Sequence, residues 1–157
     1  MSNVFLARCE SPTFDETVAS SVDLADYPDH PDGLADGGAV RFWGVSAGSR
    51  NESNFEKLAE ADLVLFYQDG AYVATGRVER TLADEAEWAS DAFDADDAFT
   101  MLYTLSDVAK IRVPREKVNR LFEYSSSYEP HGLLRVNPSN VDASLGAIEL
   151  ALERVSE

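Results

Sequence analysis

Three polar side chains able to bind the edge of a nucleobase lie close together in the sequence: Ser46, Asn51 and Asn54. A side-chain amide carries both donors and an acceptor and can pair with the edge of adenine or cytosine, and a hydroxyl can donate or accept. The same groups often form local hydrogen bonds in loops and helix caps, and for Asn51 this is an equally good interpretation. Their chemistry therefore predicts either base recognition or the closing of a turn.

Patterns typical of catalysis and metal binding are missing from the sequence. His30 lies in a segment rich in Pro and Asp, and His131 precedes Gly132; neither has a metal-ligand spacing or a serine or cysteine motif beside it. No segment matches the calcium-binding loop or a glycine-rich phosphate loop. The sequence predicts no catalytic residue, no metal site and no cofactor.

The polar side chains that can bind a base follow a predicted strand. Residues 39–45 are apolar, with β-branched and aromatic members, which predicts a half-buried strand. After a turn rich in Gly, Ser and Asn, the capping-box spacing of Ser53 and Glu56 predicts a short helix that ends near Glu60. Side chains at the end of a strand can surround a ligand without filling the core. The residues placed there are Trp43, Ser46, Arg50, Asn51 and Asn54.

A hairpin is predicted next. The chain is almost wholly apolar in residues 63–67, changes at Gln68-Asp69-Gly70, and is largely apolar again in residues 72–78. Asp-Gly supplies the positive φ angles that a tight turn between two strands needs. The order of elements in this stretch is therefore strand, loop, short helix and hairpin.

The rest of the chain alternates short apolar runs with polar segments. Residues 26–38 and 82–98 are predicted to be loops, and the second is strongly acidic with Trp88 inside it. A large aromatic residue in such a loop needs an explanation. Strands are predicted at residues 3–7, 99–105, 109–113 and 132–136, and helices at residues 13–24 and 114–122.

Residues 140–155 are predicted to form a C-terminal amphipathic helix. Its apolar residues follow a narrow stripe along one side: Val141, Leu145, Ile148, Leu152 and Val155. Two interpretations follow, because the stripe can pack on the domain itself or bind another surface, either an effector protein or a second copy of the chain.

Composition predicts one folded domain with an unusually acidic surface. The chain has 157 residues and a net charge of −16, from 29 acidic and 13 basic residues, and its hydrophobic content of 45% argues against disorder. Such acidity is typical of a protein that stays soluble in concentrated salt. We favour this halophilic interpretation over mimicry of a nucleic acid because the acidic residues are spread along the chain.

Cysteine content and hydropathy predict the compartment. Cys9 is the single cysteine, which excludes an internal disulfide and argues against a cysteine-based zinc site. There is no charged-then-apolar leader and no apolar run approaching about 18 residues. We therefore expect a cytoplasmic protein without a membrane partner.

Three stretches resemble the EVE and YTH-like branch of the PUA-like superfamily, which includes the modified-base-reading modules of modification-dependent restriction systems. The most specific is residues 43–67, with Trp-Gly-Val, a turn rich in Ser, Arg and Asn, then Ser-Asn-Phe-Glu-Lys-Leu and Ala-Asp-Leu-Val-Leu-Phe-Tyr. Residues 4–14 resemble the first EVE strand and the turn after it. Residues 87–108 resemble a YTH segment in which a tryptophan on a loop precedes a strand.

The resemblance implies a fold and a function. The fold is α/β (α+β), a PUA-like small β-barrel or strongly curved mixed sheet flanked by short helices, as a single EVE/PUA-like domain over residues 1–157. The implied function is non-enzymatic: a nucleic-acid-binding reader that takes a modified base, such as N6-methyladenine or 5-methylcytosine, into an aromatic pocket. The implied partner is DNA or RNA carrying that base.

The same resemblance assigns roles to individual residues. Trp43 and Trp88 sandwich the flipped base, for which stacking contributes about 1–3 kcal/mol. The other implied pocket residues are Ser46, Asn51, Asn54, Cys9 and Tyr67, and those implied at the nucleic-acid backbone are Arg8, Arg50, Lys57, Arg77 and Arg80. Each role has a plainer alternative, with the tryptophans and Cys9 as core residues and the arginines as partners of neighbouring carboxylates.

Two other functions stay open. The ASCH group of PUA-like folds includes nucleases and hydrolases, which implies an enzyme acting on RNA or on a nucleoside. The stretch that carries the resemblance holds no obvious acid/base pair, which counts against catalysis. The other alternative is a protein-interaction module that uses the C-terminal stripe.

Overall fold

The computed structural model describes residues 3–34, 38–84, 87–93 and 99–157. Within these ranges seven strands form one sheet, in the spatial order β2-β3-β6-β5-β4-β1-β7. The strands are β1 (Val4–Arg8), β2 (Val22–Asp23), β3 (Ala39–Ser46), β4 (Leu63–Gln68), β5 (Ala71–Ala83), β6 (Phe99–Pro114) and β7 (Leu133–Arg135). The α-helices in the same ranges are α1 (Thr13–Thr17), α2 (Ser49–Glu56), α3 (Trp88–Phe93), α4 (Arg115–Leu121) and α5 (Leu145–Val155).

The long strand β6 gives the sheet its curvature. It spans 16 residues and pairs antiparallel with both β3 and β5, and its pairing with β5 shifts register at three places. Such irregularities increase the local twist of a sheet. In the described part of the chain the edge strands β2 and β7 do not pair with each other, so the sheet curls without closing into a barrel. The predicted α/β (α+β) class and curved mixed sheet are confirmed.

The parallel pair β1 and β4 is buried on both faces of the sheet. Every residue of Val4–Ala7 and Leu63–Tyr67 is buried, which explains why both strands are continuous apolar runs. Successive side chains alternate between two cores: Phe5 belongs to a core that contains Trp43, whereas Leu6 belongs to a second core beneath α4 and α5.

The predicted hairpin between β4 and β5 is confirmed. Its turn is Asp69-Gly70, with φ angles of 50° and 83°. Both angles are positive, as the tight turn of a hairpin requires. The sequence identified this element because all the information that specifies it is local.

The helix predicted for residues 13–24 is wrong in length. α1 ends at Thr17, and Val22 instead pairs with Val40 in β2 and β3. The guanidinium of Arg41 donates hydrogen bonds of 2.8 and 3.3 Å to two carbonyls that follow α1. Pairing with β3 and the Arg41 contact therefore override the helical pattern.

The start of α2 also differs from the prediction. The helix begins at Ser49 rather than at Ser53, with Gly48 as its N-cap at a φ angle of 143°. The N–H of Gly48 donates a 3.2 Å hydrogen bond to the carboxylate of Glu52. The Ser53/Glu56 spacing therefore lies inside the helix, and the N-cap residue, Gly48, has no side chain with which to cap it.

Two predicted strands are one strand in the structure. Residues 99–105 and 109–113 both belong to β6, which continues through Asp107 at a φ angle of 50°. The predicted loop at residues 82–98 contains regular structure, because β5 extends to Ala83 and residues 88–93 form α3. Of the predicted loop at residues 26–38, only Asp26 belongs to a regular element, the 3₁₀ turn of residues 24–26. Residues 35–37, 85–86 and 94–98 of these loops lie outside the described ranges.

The C-terminal helix packs on the domain. α5 begins at Leu145, later than predicted, because the hydroxyl of Ser144 accepts a hydrogen bond from the helix backbone. Leu145, Ile148 and Leu152 are buried in the second core, whereas Val155 is 40% exposed. Most of the stripe is therefore occupied within the chain. Among the described helices, none combines the length and apolar character needed to cross a membrane.

Candidate nucleic-acid interface

A cavity of about 530 Å³ lies where β1 and β3 end and α2 begins. Its walls come from the end of β1 and the turn after it, from β3 and the first turn of α2, from β6, and from residues 131–133. These segments are distant in sequence and meet only through the pairing of the sheet. A cavity of this volume is in the range that holds a small organic ligand.

Aromatic residues form the apolar part of the cavity. Trp43 of β3 and Phe99 of β6 both line it, with ring centroids 5.2 Å apart and ring planes at 63°. The Trp43 ring is held from behind by edge contacts with Phe14 and Phe66, at 6.3 and 6.4 Å. Trp43 and Phe99 therefore form a rigid aromatic corner against which a flat ring can stack.

Two asparagines of α2 fix the wall of the cavity beside β7. The Asn51 amide donates to the carbonyl oxygen of Ser46 (3.2 Å) and accepts from the N–H of Leu133 (3.3 Å). Asn54, which is buried, donates to the carbonyl oxygen of Leu133 (2.8 Å). Both peptide groups of Leu133 are thus bound by side chains three residues apart on one face of the helix. Only the bond from Asn51 to Ser46 is local, and the bonds to Leu133 join α2 to a strand about 80 residues further along the chain.

Gly132 lets this wall approach α2 closely. It has a φ angle of 66°, and a Cβ atom there would lie 2.5 Å from the Asn51 side-chain oxygen. Only glycine fits both the backbone angle and the close approach. The segment from His131 to Leu133 is therefore held against α2 at the mouth of the cavity.

The two arginines that line the cavity give it a basic edge. Arg8, Arg50 and His131 line the cavity and are exposed, together with one carboxylate, Glu10. Arg8 also lies 6.0 Å from the ring centroid of Tyr67. Neither Arg8 nor Arg50 forms a salt bridge with another described residue. A basic rim of this kind is unusual on a chain with a net charge of −16.

The structure brings together five of the residues that the sequence placed at a nucleic-acid site. They are Trp43, Ser46, Asn51, Arg8 and Arg50. Asn54 lies behind the wall, bound to Leu133.

Trp88 lies apart from Trp43. Its ring is in α3, 5.8 Å from Phe42 and 5.9 Å from both Tyr27 and Phe93. Phe42 and Trp43 are successive residues of β3, whose side chains point to opposite faces. Trp88 therefore packs on the far side of β3 and does not line the cavity. Its place in an aromatic cluster explains a tryptophan in such an acidic segment.

Cys9 and Tyr67 lie behind the cavity wall. The Cys9 thiol is 2% exposed and donates to the carbonyl oxygen of Tyr67 (3.4 Å), and burial raises its pKa well above the ordinary range for a thiol. Tyr67 belongs to the second core, and its hydroxyl donates to Glu129 (2.6 Å), which also pairs with Arg115. A small cavity of about 230 Å³ lies between the turn that follows β1, which contains Cys9, and the turn that follows β4.

Three predicted backbone contacts lie outside the cavity. Arg77 forms a salt bridge with Glu149 of α5 and donates to the carbonyl oxygen of Ala61 (2.9 Å), so it fastens α5 to the sheet. Arg80 lines a separate polar groove near β6. Lys57 is exposed at the C-terminal end of α2.

Two aromatic residues of the cavity were missed at the level of sequence. Phe99 and Tyr103 lie on β6, and Tyr103 stands directly opposite Trp43 in the antiparallel register. Cross-strand partners present their side chains on the same face. The apolar pattern predicted the strand, but the face that meets Trp43 depends on the register, which involves residues far apart in the chain.

No group of three or more His, Cys, Asp or Glu side chains in the described ranges is arranged to hold a metal ion.

Comparisons with known proteins identify the fold. No protein-family model matches the chain, and no curated protein sequence matches it. The N-terminal domain of Thermococcus gammatolerans McrB, solved bound to m5C DNA, superposes with a TM-score of 0.73 at 18% identity, over 96% of this chain and 99% of that one. Human THYN1, solved with DNA containing 5-methylcytosine, superposes with a TM-score of 0.52 at 9% identity, over 97% of this chain and 98% of that one.

These two likenesses extend over nearly the whole of each chain. At such low identity they show a shared fold, and they agree with the PUA-like fold predicted from the sequence.

Proposed function

We propose that this chain is a reader of modified DNA that takes 5-methylcytosine out of the base stack and into the cavity beside Trp43. The observation that carries the proposal is the aromatic corner of Trp43 and Phe99 in a cavity with a basic rim. Both similar structures contain DNA with 5-methylcytosine, which favours this mark over N6-methyladenine. The resemblance of residues 43–67 to the EVE/YTH-like branch of the fold supports the same proposal.

The energetics suit a flipped base. Removing a base from its stack costs a few kcal/mol, and stacking on an aromatic side chain returns about 1–3 kcal/mol. A buried methyl group adds about 0.8 kcal/mol, provided that apolar atoms surround it. The ring faces of Trp43 and Phe99 supply such a surface, so a methylated cytosine gains more from entering the cavity than an unmethylated one.

The rim suits the DNA backbone. Arg8 and Arg50 both line the cavity, at the end of β1 and in the first turn of α2. Guanidinium groups at the mouth can bind the phosphates on either side of a flipped nucleotide. These contacts add affinity without sequence preference, whereas the cavity selects the base.

The chain contains two tryptophans, which allows a direct test. In Trp88→Phe the remaining tryptophan, Trp43, lies in the cavity, and in Trp43→Phe the remaining one, Trp88, lies across β3. We expect a duplex with one 5-methylcytosine to quench the fluorescence of Trp88→Phe and to leave that of Trp43→Phe unchanged. The unmethylated duplex should require a several-fold higher concentration for the same quenching.

Either of two results would overturn the proposal. Equal affinity for methylated and unmethylated duplexes would remove the selection of the mark. Quenching in Trp43→Phe but not in Trp88→Phe would place the binding surface at α3. Single-stranded DNA and RNA with the same methylated base complete the comparison and decide which nucleic acid is preferred.

A further inference from the structure

One residue of the cavity wall carries a buried polar group without a partner in the described part of the chain. Tyr103 of β6 is fully buried, lines the cavity, and its hydroxyl has no hydrogen-bond partner among the residues that the structure describes. Buried polar atoms are nearly always paired, and leaving one unpaired costs free energy. A tyrosine kept at such a position, where phenylalanine would fill the same space, calls for a partner from outside the chain.

The position of Tyr103 ties it to the aromatic corner. Tyr103 and Trp43 are directly opposed on β6 and β3, so their side chains lie on one face of the sheet. Tyr103 therefore belongs to the wall of the cavity, on the face of the sheet that carries Trp43.

An unpaired hydroxyl alone does not identify a site, and Tyr72 shows this. Tyr72 is equally buried and its hydroxyl is also unpaired in the described residues. It lies in the second core, 5.2 Å from the ring of Tyr67, and does not line the cavity. The combination of an unpaired hydroxyl and a cavity wall is what distinguishes Tyr103.

We propose that the Tyr103 hydroxyl binds the polar edge of the flipped base, donating its proton to an acceptor atom of the pyrimidine, N3 or O2. This inference rests on the proposed function. The hydrogen bond would let the cavity distinguish a nucleobase, which has acceptor atoms on its edge, from an apolar ring of the same shape. Burial raises the pKa of Tyr103 well above its ordinary value, so the hydroxyl stays protonated and able to donate. Trp43 and Phe99 hold the ring, and Tyr103 satisfies its edge.

The test compares Tyr103→Phe with Tyr72→Phe, since both remove one buried, unpaired hydroxyl. Against a duplex with one 5-methylcytosine, we expect Tyr103→Phe to bind about 5- to 50-fold more weakly, because the base edge loses its donor inside the cavity. Tyr72→Phe should bind like the wild type. Neither variant should melt at a lower temperature than the wild type in the absence of DNA, because no hydrogen bond is lost in the free protein.

A second probe removes the hydrogen bond from the DNA side. Difluorotoluene nucleotide has the shape of a methylated pyrimidine but lacks strong acceptors. On a duplex that carries this nucleotide in place of 5-methylcytosine, the affinities of Tyr103→Phe and wild type should differ by less than about 2-fold. In a double-mutant cycle, removing either partner of a direct contact makes removal of the other partner nearly neutral. An equal loss on both duplexes would mean that the hydroxyl acts through the protein and would overturn the inference.

The remaining outcomes are also decisive. If wild type selects the methylated duplex and Tyr103→Phe does so with the same affinity, the inference is wrong and the proposed function stands. If the free Tyr103→Phe protein melts several degrees lower or does not fold, the hydroxyl is already paired within the chain and the inference is wrong. If wild type does not select the methylated duplex, both the function and the inference fall.

Discussion

The ring of Phe99 lies directly over the α-carbon of Gly44. A Cβ atom on Gly44 would lie 2.1 Å from Cγ of Phe99 and 2.7 Å from its Cβ, both far inside van der Waals contact. The atoms involved are near the base of the Phe99 side chain, so a rotation of the ring does not relieve the overlap. The missing side chain of Gly44 is therefore what allows Phe99 to reach Trp43 and complete the aromatic corner.

Gly44→Ala is expected to destabilise the domain and to disrupt the cavity. Forcing an extra methyl group into this contact should cost about 1–3 kcal/mol in the free energy of unfolding, measured by urea denaturation. DNA binding should weaken in the same variant, because Phe99 can no longer lie against β3.

Gly146→Ala provides the matched control for this prediction. Gly146 lies in α5, is exposed, and an added Cβ there meets no atom within 4 Å. Alanine is favoured over glycine in a helix by about 0.5–1 kcal/mol, so this variant should be as stable as the wild type or more so. Equal stabilities for the two alanine variants would contradict the close packing of Phe99 on Gly44.

How much of the site is predictable from sequence depends on how local its determinants are. The Asp69-Gly70 turn was predicted because adjacent residues specify it. The end of β3 with Trp43, and the loop leading to Asn51, were predicted for the same reason. The far walls of the cavity were not, because Phe99 and Tyr103 reach Trp43 only through strand pairing that no local pattern reveals.

The resemblance to known readers was informative for the fold and less so for Trp88. The implied sandwich needs two tryptophans on one side of a base, whereas Trp88 contacts Phe42 on the opposite face of β3 from Trp43. A motif fixes the order of residues along the chain but not the face on which each one packs. Likewise, the side-chain amide of Asn54 could bind a base, but in the structure it donates to the carbonyl oxygen of Leu133.

Asn54→Ala should destabilise the edge strand β7. The substitution leaves the buried carbonyl oxygen of Leu133 without its 2.8 Å donor, which should cost about 1–3 kcal/mol in the free energy of unfolding. Hydrogen exchange should speed up at Leu133 and its neighbours before it does so elsewhere in the sheet. Ser53→Ala, exposed on the same helix, should change stability by less than about 0.5 kcal/mol. A similar loss of stability in both variants would mean that the substitutions weaken α2 itself, and not the hydrogen bond from Asn54 to Leu133.

Stability should fall at alkaline pH because of Cys9. Its thiol has a pKa raised by burial in the folded state, against about 8.5 in an unfolded chain. The folded protein therefore keeps a proton that the unfolded chain releases. This contribution is complete below pH 8.5 and is lost as pH rises further, by about 1.4 kcal/mol per pH unit.

Cys9→Ala removes this titration. The difference in unfolding free energy between wild type and Cys9→Ala should be constant up to about pH 8 and shrink between pH 8.5 and 9.5, before the tyrosines begin to titrate. Urea denaturation at each pH measures it. A difference that stays constant across that interval would show that the thiol is not protected in the folded protein.

Arg50→Ala should weaken DNA binding without changing the choice of base. Its guanidinium lies at the mouth of the cavity, where a phosphate contact contributes equally to methylated and unmethylated duplexes. Each phosphate contact contributes about 0.9 to the slope of log affinity against log salt concentration, so the variant should show a slope smaller by about that amount. Titrations over a series of KCl concentrations measure both quantities. Arg154→Ala, exposed in the last turn of α5, is the matched loss of one charge away from the cavity and should leave the slope and the affinity unchanged. A fall in the methylated-to-unmethylated ratio in Arg50→Ala would instead place this guanidinium on the base, since a phosphate contact cannot sense the methyl group.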